Sequence, residues 1–346
     1  MENIALDVHK HYTWARVESQ QGQQLYATRL AHGRGCIKNF VRRWTPGSPV
    51  AVETVGNWYW IVDEIEAGGG KPQLVNARLA KLMMGNVNKS DKLDAKGMNI
   101  LQRAGALPTV WIAPGGVRDA RELPRTRMVF SRQRTQLKNR VHATLSKYGY
   151  VVDEVSDAFG KRGRQIIEDL SSKLPPHTQQ ALHRVLDQLD HVSENLKAIE
   201  AEMMKVFAPS PEINLLKTLP GVADILAVVI WTEIGTIERF SRAEQLASYC
   251  GLVAREHSSG DKFRYGPIRR DVNVYLKWAF VEAAGSAIQN RDRCGYQHIG
   301  QLYPSIKNRR GHNRAKVAVA RHLSEASFWM LKKGEPYREP GLSTQR

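Results

Sequence analysis

Four carboxylates and one serine are the residues of this chain whose type and surroundings could do chemistry. Asp91 and Asp94 stand three apart in NKSDKLDAKGMNIL, close enough to share one helical turn. Ser90 has the chemistry of a helix N-cap, and acids in a first turn complement the helix dipole. From this stretch alone, a helix start and a functional acid pair are both open. Asp7 interrupts the apolar run ENIALDVHKHYTWARVES, and Glu53 closes the buried run Val50–Val52. Carboxylates at such places are costly unless paired or metal-bound. The plainer readings are a strand-end turn residue at Asp7 and a surface acid at Glu53. Ser259 precedes Gly260 in AREHSSGDKFR, ringed by Arg255, Lys262, Arg264, Arg269 and Arg270. A serine oxygen can attack phosphorus where basic groups hold the phosphate and stabilise the developing charge. The alternative is that Ser258-Ser259-Gly260 is an ordinary turn.

The elements that must position these residues differ along the chain. The first part reads as α/β. Two strands lie in ENIALDVHKHYTWARVES, a short one at Val50–Val52, then a helix carrying Trp58, Tyr59 and Trp60 that stops at a Gly-Gly-Gly run. KPQLVNARLAKLM reads as a strand feeding a helix. Strands alternating with helices imply a largely parallel sheet. His9 and His11 beside Asp7 read as strand-edge or phosphate-contact residues.

The middle is helical and basic. Leu137, Val141 and Leu145 recur every four residues and give one packed face. Arg132, Arg134, Lys138 and Arg140 fall elsewhere around that helix and are the expected nucleic-acid contacts. Further on, Leu182, Val185, Leu189, Val192, Leu196, Ile199, Met203 and Val206 step alternately by three and four. This heptad seam predicts a coiled coil between chains, with an intramolecular hairpin against 126–148 as the alternative. The last part reads as helical. LLKTLPGVADILAVVIWTEIG resembles a helix-hairpin-helix element, with Ala223 in place of its usual second glycine. REHSSGDKFR reads as a polar loop between two helices.

Composition fixes the class of partner. The chain has 346 residues, 51 Lys+Arg against 34 Asp+Glu and a net charge of +17. Such an excess points to a polyanion, most simply nucleic acid, rather than a membrane, since no long apolar run or basic amphipathic anchor is present. The N-terminal stretch lacks the pattern of a signal peptide. Cys36, Cys250 and Cys294 are widely spaced and form no CxxC, which argues against a zinc knuckle or disulfide framework. A soluble protein of a reducing compartment that handles nucleic acid is expected.

A strand-one Asp, a Glu after a central strand and a helical Asp-x-x-Asp resemble the ribonuclease H-like fold of Holliday-junction resolvases. There, four carboxylates surround divalent metal, which the resemblance implies would be Mg²⁺ or Mn²⁺ in this chain. More of the chain resembles bacterial insertion-sequence transposases that join a resolvase-like acidic-tetrad domain to a C-terminal serine domain. This group is guided by a bridge RNA and includes the Piv-type invertases. The resemblance rests on IALDVHK, VAVETVGN, LVNA, NKSDKLDA, LLKTLPGV, EIGTIERF, LASYCGLVAREHSSGDK and NVYLKWAFVEAA. Val272 stands before Asn273 where the family often has glycine. The resemblance implies a ribonuclease H-like domain over 1–115, a basic helix and coiled-coil linker over 116–209, a mainly α-helical serine domain over 210–335 and a flexible tail at 336–346. It implies Asp7, Glu53, Asp91 and Asp94 as metal ligands and catalytic acids, with Ser259 as nucleophile forming a phosphoserine link to DNA. Its partners would be donor and target DNA, a noncoding guide RNA and further copies of the chain, a dimer assembling to a tetramer. Two other readings stand beside it: a resolvase-like nuclease acting through water, and a non-enzymatic architectural DNA/RNA binder.

Overall fold

The computed structural model describes residues 1–85, 90–259, 262–269 and 271–340, with only the backbone described at 257–259, 262, 263 and 265. The chain divides into two compact units, Met1–Ala113 and Pro114–Arg346.

The first unit holds a five-stranded sheet of β1 (Asn3–Val8), β2 (Tyr12–Glu18), β3 (Gln24–Ala31), β4 (Pro49–Glu53) and β5 (Lys71–Val75), in the order β3-β2-β1-β4-β5. β1, β4 and β5 run parallel, whereas β2 and β3 are antiparallel additions, so the sheet is mixed rather than largely parallel. β3 gave little signal in the sequence because it is an edge strand with no buried residue. The helices are α1 (Cys36–Val41), α2 (Trp58–Ala67), α3 (Ala77–Met84) and α4 (Asp91–Arg103).

Side-chain alternation along the parallel strands decides which face each residue serves. Ile4, Leu6, Val8, Val50 and Val52 pack with Ile61, Val62 and Ile65 of α2. Ala5, Ala51 and Val75 take the opposite face with Ala80 of α3 and Ala95 and Met98 of α4. Asp7 continues the alanine side of β1, and Glu53 continues the alanine side of β4. The small residues let α4 lie close to the sheet, so its first turn meets the strand ends.

The second unit contains α5 (Gly115–Ala120), α6 (Glu122–Ser146), α7 (Lys161–Ser171), α8 (Pro176–Phe207), α9 (Pro211–Leu216), α10 (Asp224–Ile234) and α11 (Ala243–Tyr249). A hairpin of β6 (Ala254–Ser259) and β7 (Lys262–Ile268) follows, then α12 (Val274–Cys294), α13 (Gln297–Arg310) and α14 (His312–Lys333). α6 and α8 form an antiparallel pair registered at its ends. Arg127 Nε donates to Glu200 Oε1 at 2.8 Å, and the Tyr148 and Thr178 hydroxyls meet at 2.9 Å. Leu182, Leu189, Val192, Leu196 and Met203 are all buried within the chain itself. Five of the eight seam positions are therefore covered within the chain, whereas Val185 and Ile199 are half-buried and Val206 is exposed.

α9 and α10 flank a turn at Gly221, whose φ is +75°. A Cβ there would stand 2.1 Å from the Ala283 carbonyl of α12, so close packing of the turn on α12 requires glycine. Glu233 of α10, fully buried, ties three helices together. It accepts both Arg125 Nε and Nη2 from α6, at 2.6 and 2.9 Å, and Asn273 Nδ2 from the start of α12 at 2.8 Å. Among the described residues no helix is long and apolar enough to cross a membrane.

Candidate metal centre

The ends of β1, β4 and α4 bring the acids of the first unit into one neighbourhood. In the β1–β4 register Leu6 pairs with Val52, so Asp7 and Glu53 follow on adjacent strands. Glu53 is itself paired with Val75 at the end of β5. Ser90 caps α4 by accepting the Leu93 backbone N–H at 3.3 Å, and Asp91 and Asp94 occupy the first turn. The capping reading is realised: the cap fixes where the turn starts, and the turn carries its acids toward the sheet.

Ligand-type atoms of Asp7, His9 and Asp91 lie within 4.8 Å of one another. His9 Nε2 is 3.3 Å from Asp7 Oδ2 and 3.2 Å from Asp91 Oδ2. This nitrogen is buried and almost equidistant from the two oxygens. Asp7 is buried, and its pKa is pushed up to about 6. Burial is the main cause; Asp91 and Asp94 raise it further, while His9 lowers it. Converging carboxylates that repel one another around a buried nitrogen fit a divalent cation, which would neutralise the repulsion and use the free lone pairs.

The three acids expected beside Asp7 stand to it in three different relations. Asp91 is in the close cluster; Asp94 acts on Asp7 electrostatically; Glu53 stands half-buried at the adjoining strand end. His9, read from the sequence as a strand-edge or phosphate-contact residue, belongs to the cluster instead. A signal was there: Asp7 and His9 are two apart, the spacing that puts side chains on one side of a strand. Tyr12 was also missed. Its hydroxyl donates to Asp91 Oδ2 at 2.9 Å, its ring stacks on His9 at 4.5 Å, and Arg29 sits 3.9 Å above it.

The serine segment is a strand pair, not a loop between helices. Ser259 ends β6 and pairs with Lys262, with His257 opposite Arg264. Alternating polar residues hid the strands, although a two-residue Gly-Asp connection is a hairpin signal. Gly260, Arg270 and the side chains of Ser258, Ser259 and Lys262 lie outside the described residues, as does 341–346 of the expected tail. The rest of that tail is docked: Tyr337 N–H donates to Thr218 Oγ1 at 3.0 Å. Arg255 is half-buried and Arg264 exposed. Arg269 is held by Asp271, with Nε 3.1 Å from Oδ1, and this pairing draws the Asp271 pKa down to about 2. Of the basic residues on α6, Arg132 and Arg140 are exposed; Arg134 and Lys138 are half-buried, with Lys138 Nζ 4.6 Å over the Phe159 ring.

Comparison with known proteins adds two family matches. The IS110-type DEDD model, described as a transposase, matches residues 4–150. The model described as Transposase IS116/IS110/IS902 family matches residues 213–298. The chain is similar to the transposase for insertion sequence element IS1111A of Coxiella burnetii, 25% identical over 72% of this chain and 69% of the relative. It is similar to the transposase for insertion sequence element IS1328 of Yersinia enterocolitica, 22% identical over 96% of this chain and 97% of the relative. A shorter stretch, 21% of this chain and 24% of the relative, is 32% identical to the pilin gene-inverting protein of Moraxella bovis.

Proposed function

The chain belongs to the IS110/IS116 family of insertion-sequence transposases, enzymes acting on DNA, and from that premise we propose a two-part chemistry for it. Asp7, Glu53, Asp91 and Asp94 form a centre for Mg²⁺ or Mn²⁺, and Ser259 is the nucleophile. The observation that carries this reading is the convergence of Asp7, His9 and Asp91 at the end of a strand whose neighbour ends in Glu53. A bound divalent ion would neutralise phosphate charge and favour displacement at phosphorus. The chain's own part is to hold the acids through the Ser90 cap and the Tyr12 hydrogen bond, and to keep Asp7 away from bulk water.

The covalent step is a transesterification. The Ser259 oxygen bonds to phosphorus as the bond from phosphorus to the leaving sugar oxygen breaks; the serine proton is lost, and the sugar oxygen leaves as a hydroxyl. Reversal with a new strand end rejoins DNA without loss of bond energy. Basic residues on α6 and around the hairpin, Arg132, Arg134, Lys138, Arg140, Arg255, Lys262, Arg264, Arg269 and Arg270, hold nucleic-acid backbones. A noncoding bridge RNA from the element pairs with donor and target DNA, and an oligomer of the chain, a dimer assembling to a tetramer in the bacterial cytoplasm, carries out the exchange.

The second reading is a resolvase-like nuclease in which water attacks, and the match of the DEDD model over 4–150 favours it. Trapping separates the two. The serine reading expects a protein–DNA adduct that survives denaturation, maps to Ser259 and is lost in Ser259→Ala but kept in Ser258→Ala. Efficient metal-dependent hydrolysis with no adduct would establish the nuclease. Asp91→Asn and Glu53→Gln should stop cleavage under either reading while nucleic-acid binding persists.

A further inference from the structure

Resting on the metal reading above, we propose that His9 supplies a nitrogen ligand to the centre and tunes it toward Mn²⁺ over Mg²⁺. Donors that share a six-coordinate ion at about 2.1 Å stand about 3 Å apart when adjacent. His9 Nε2 lies 3.3 Å from Asp7 Oδ2 and 3.2 Å from Asp91 Oδ2. A histidine paired with one acid alone would lie nearer to it, yet this nitrogen stands almost equidistant from the two oxygens. A single ion between them would draw on its lone pair and on both carboxylates.

The ring is also held before any ion arrives. The β1–β2 turn closes with His9 N–H donating to the Tyr12 carbonyl at 2.9 Å. The same turn lays the two rings 4.5 Å apart at 25°. Asn57 Nδ2 donates to the His9 carbonyl at 3.4 Å from the loop after β4. Tyr12 then reaches Asp91, so one residue orients two of the donors. Outer partners of this kind fix ligand orientation at metal sites.

The choice of ion follows from donor chemistry. Mg²⁺ takes oxygen ligands and gives up water reluctantly. Imidazole nitrogen adds more affinity for first-row transition ions, of which Mn²⁺ is the one most at home among carboxylates. A site of two or more carboxylates and one neutral imidazole therefore still accepts Mg²⁺ but binds Mn²⁺ more tightly, and the difference resides in His9.

The test uses the full-length protein and two probes, MnCl₂ and MgCl₂, titrated separately by calorimetry. Pulsed electron paramagnetic resonance on the Mn²⁺ sample then reads nitrogen ligation directly. The proposal expects ¹⁴N modulation from bound Mn²⁺, replaced by a ¹⁵N signal when the protein carries ¹⁵N-histidine, which requires no variant. His9→Ala should abolish the modulation and weaken Mn²⁺ by about tenfold or more, with a much smaller loss for Mg²⁺. His11→Ala, exposed one residue beyond Lys10, should leave both unchanged. Bound Mn²⁺ without nitrogen modulation, or equal losses for the two ions in His9→Ala, overturns the proposal and leaves the acid centre intact. Failure of wild type to bind either ion, indistinguishable from Asp91→Asn, overturns the proposal together with the metal reading beneath it.

Discussion

The Tyr12 hydroxyl donates to Asp91 Oδ2 across 2.9 Å and so joins the start of β2 to the first turn of α4. These residues are 79 positions apart in sequence. Tyr12→Phe keeps the ring on His9 and removes only that bond. We expect divalent-ion affinity, measured by calorimetry, to fall about tenfold, as for other outer partners of metal ligands. Unchanged affinity would make the Tyr12–Asp91 bond incidental.

Asp7 places a cost on the ion-free protein. Burial holds its folded pKa at about 6, above the ordinary carboxylate value of 3.8. Folding therefore takes up a proton in that window, and stability falls as pH rises from about 4 through about 6. Asp7→Asn removes the penalty. In chelator, at pH 7.5, the variant should be more stable by up to about 3 kcal/mol, the equivalent of about two pKa units. At pH 4 the gain should vanish. Chemical denaturation at both pH values checks this; a variant that is less stable at pH 7.5 would refute it.

The α6–α8 seam predicts a folding defect rather than a dissociation defect. Leu189 and Leu196 are 3% and 2% exposed within the chain. Glu at both positions would bury charge without a partner, which costs several kcal/mol. The doubly substituted chain should melt at lower temperature or fail to fold. Light scattering showing a stable, folded protein of smaller mass would instead mean that the seam joins chains.

His322 gives the second unit an acid-sensitive point. Burial, and after it the neighbouring His298, hold its pKa down at about 4, against an ordinary 6.5. The folded state therefore keeps His322 neutral where the unfolded chain is protonated. Its contribution is fully present above about 6.5 and is lost as pH falls toward about 4. His322→Gln should flatten the stability–pH curve across that interval by close to one proton. A slope equal to wild type would exclude the residue as the cause.

The first unit was legible wherever burial leaves an apolar signature. β1 and β4 carry continuous buried runs and β2 an alternating one, and Asp7 and Glu53 stand out as acids at the ends of the buried runs. β3 left a fainter trace, because on this edge strand only Tyr26 and Leu30 pack against the core and both are half-buried. The role of His9 depends on where the 9–12 turn and α4 converge, which spacing alone does not state. Ser90 shows the reverse situation: its cap was legible, and the cap sets where Asp91 and Asp94 begin α4. The heptad seam was legible as a seam, but periodicity does not reveal whether its cover is another helix of the same chain or another copy. The β6–β7 strands were obscured because β6, AREHSS, carries no apolar alternation.

The antiparallel pair of α6 and α8 carries a consequence for heredity. Its two arms are pinned to each other near both ends, by Arg127 with Glu200 and by Tyr148 with Thr178. A short duplication or deletion within one arm would shift every contact beyond it unless the other arm changed by a matching number of turns. Length variation among descendants of this gene should accordingly be confined to the segment joining the arms, between Tyr148 and Pro176, or occur as compensated pairs on either side of it.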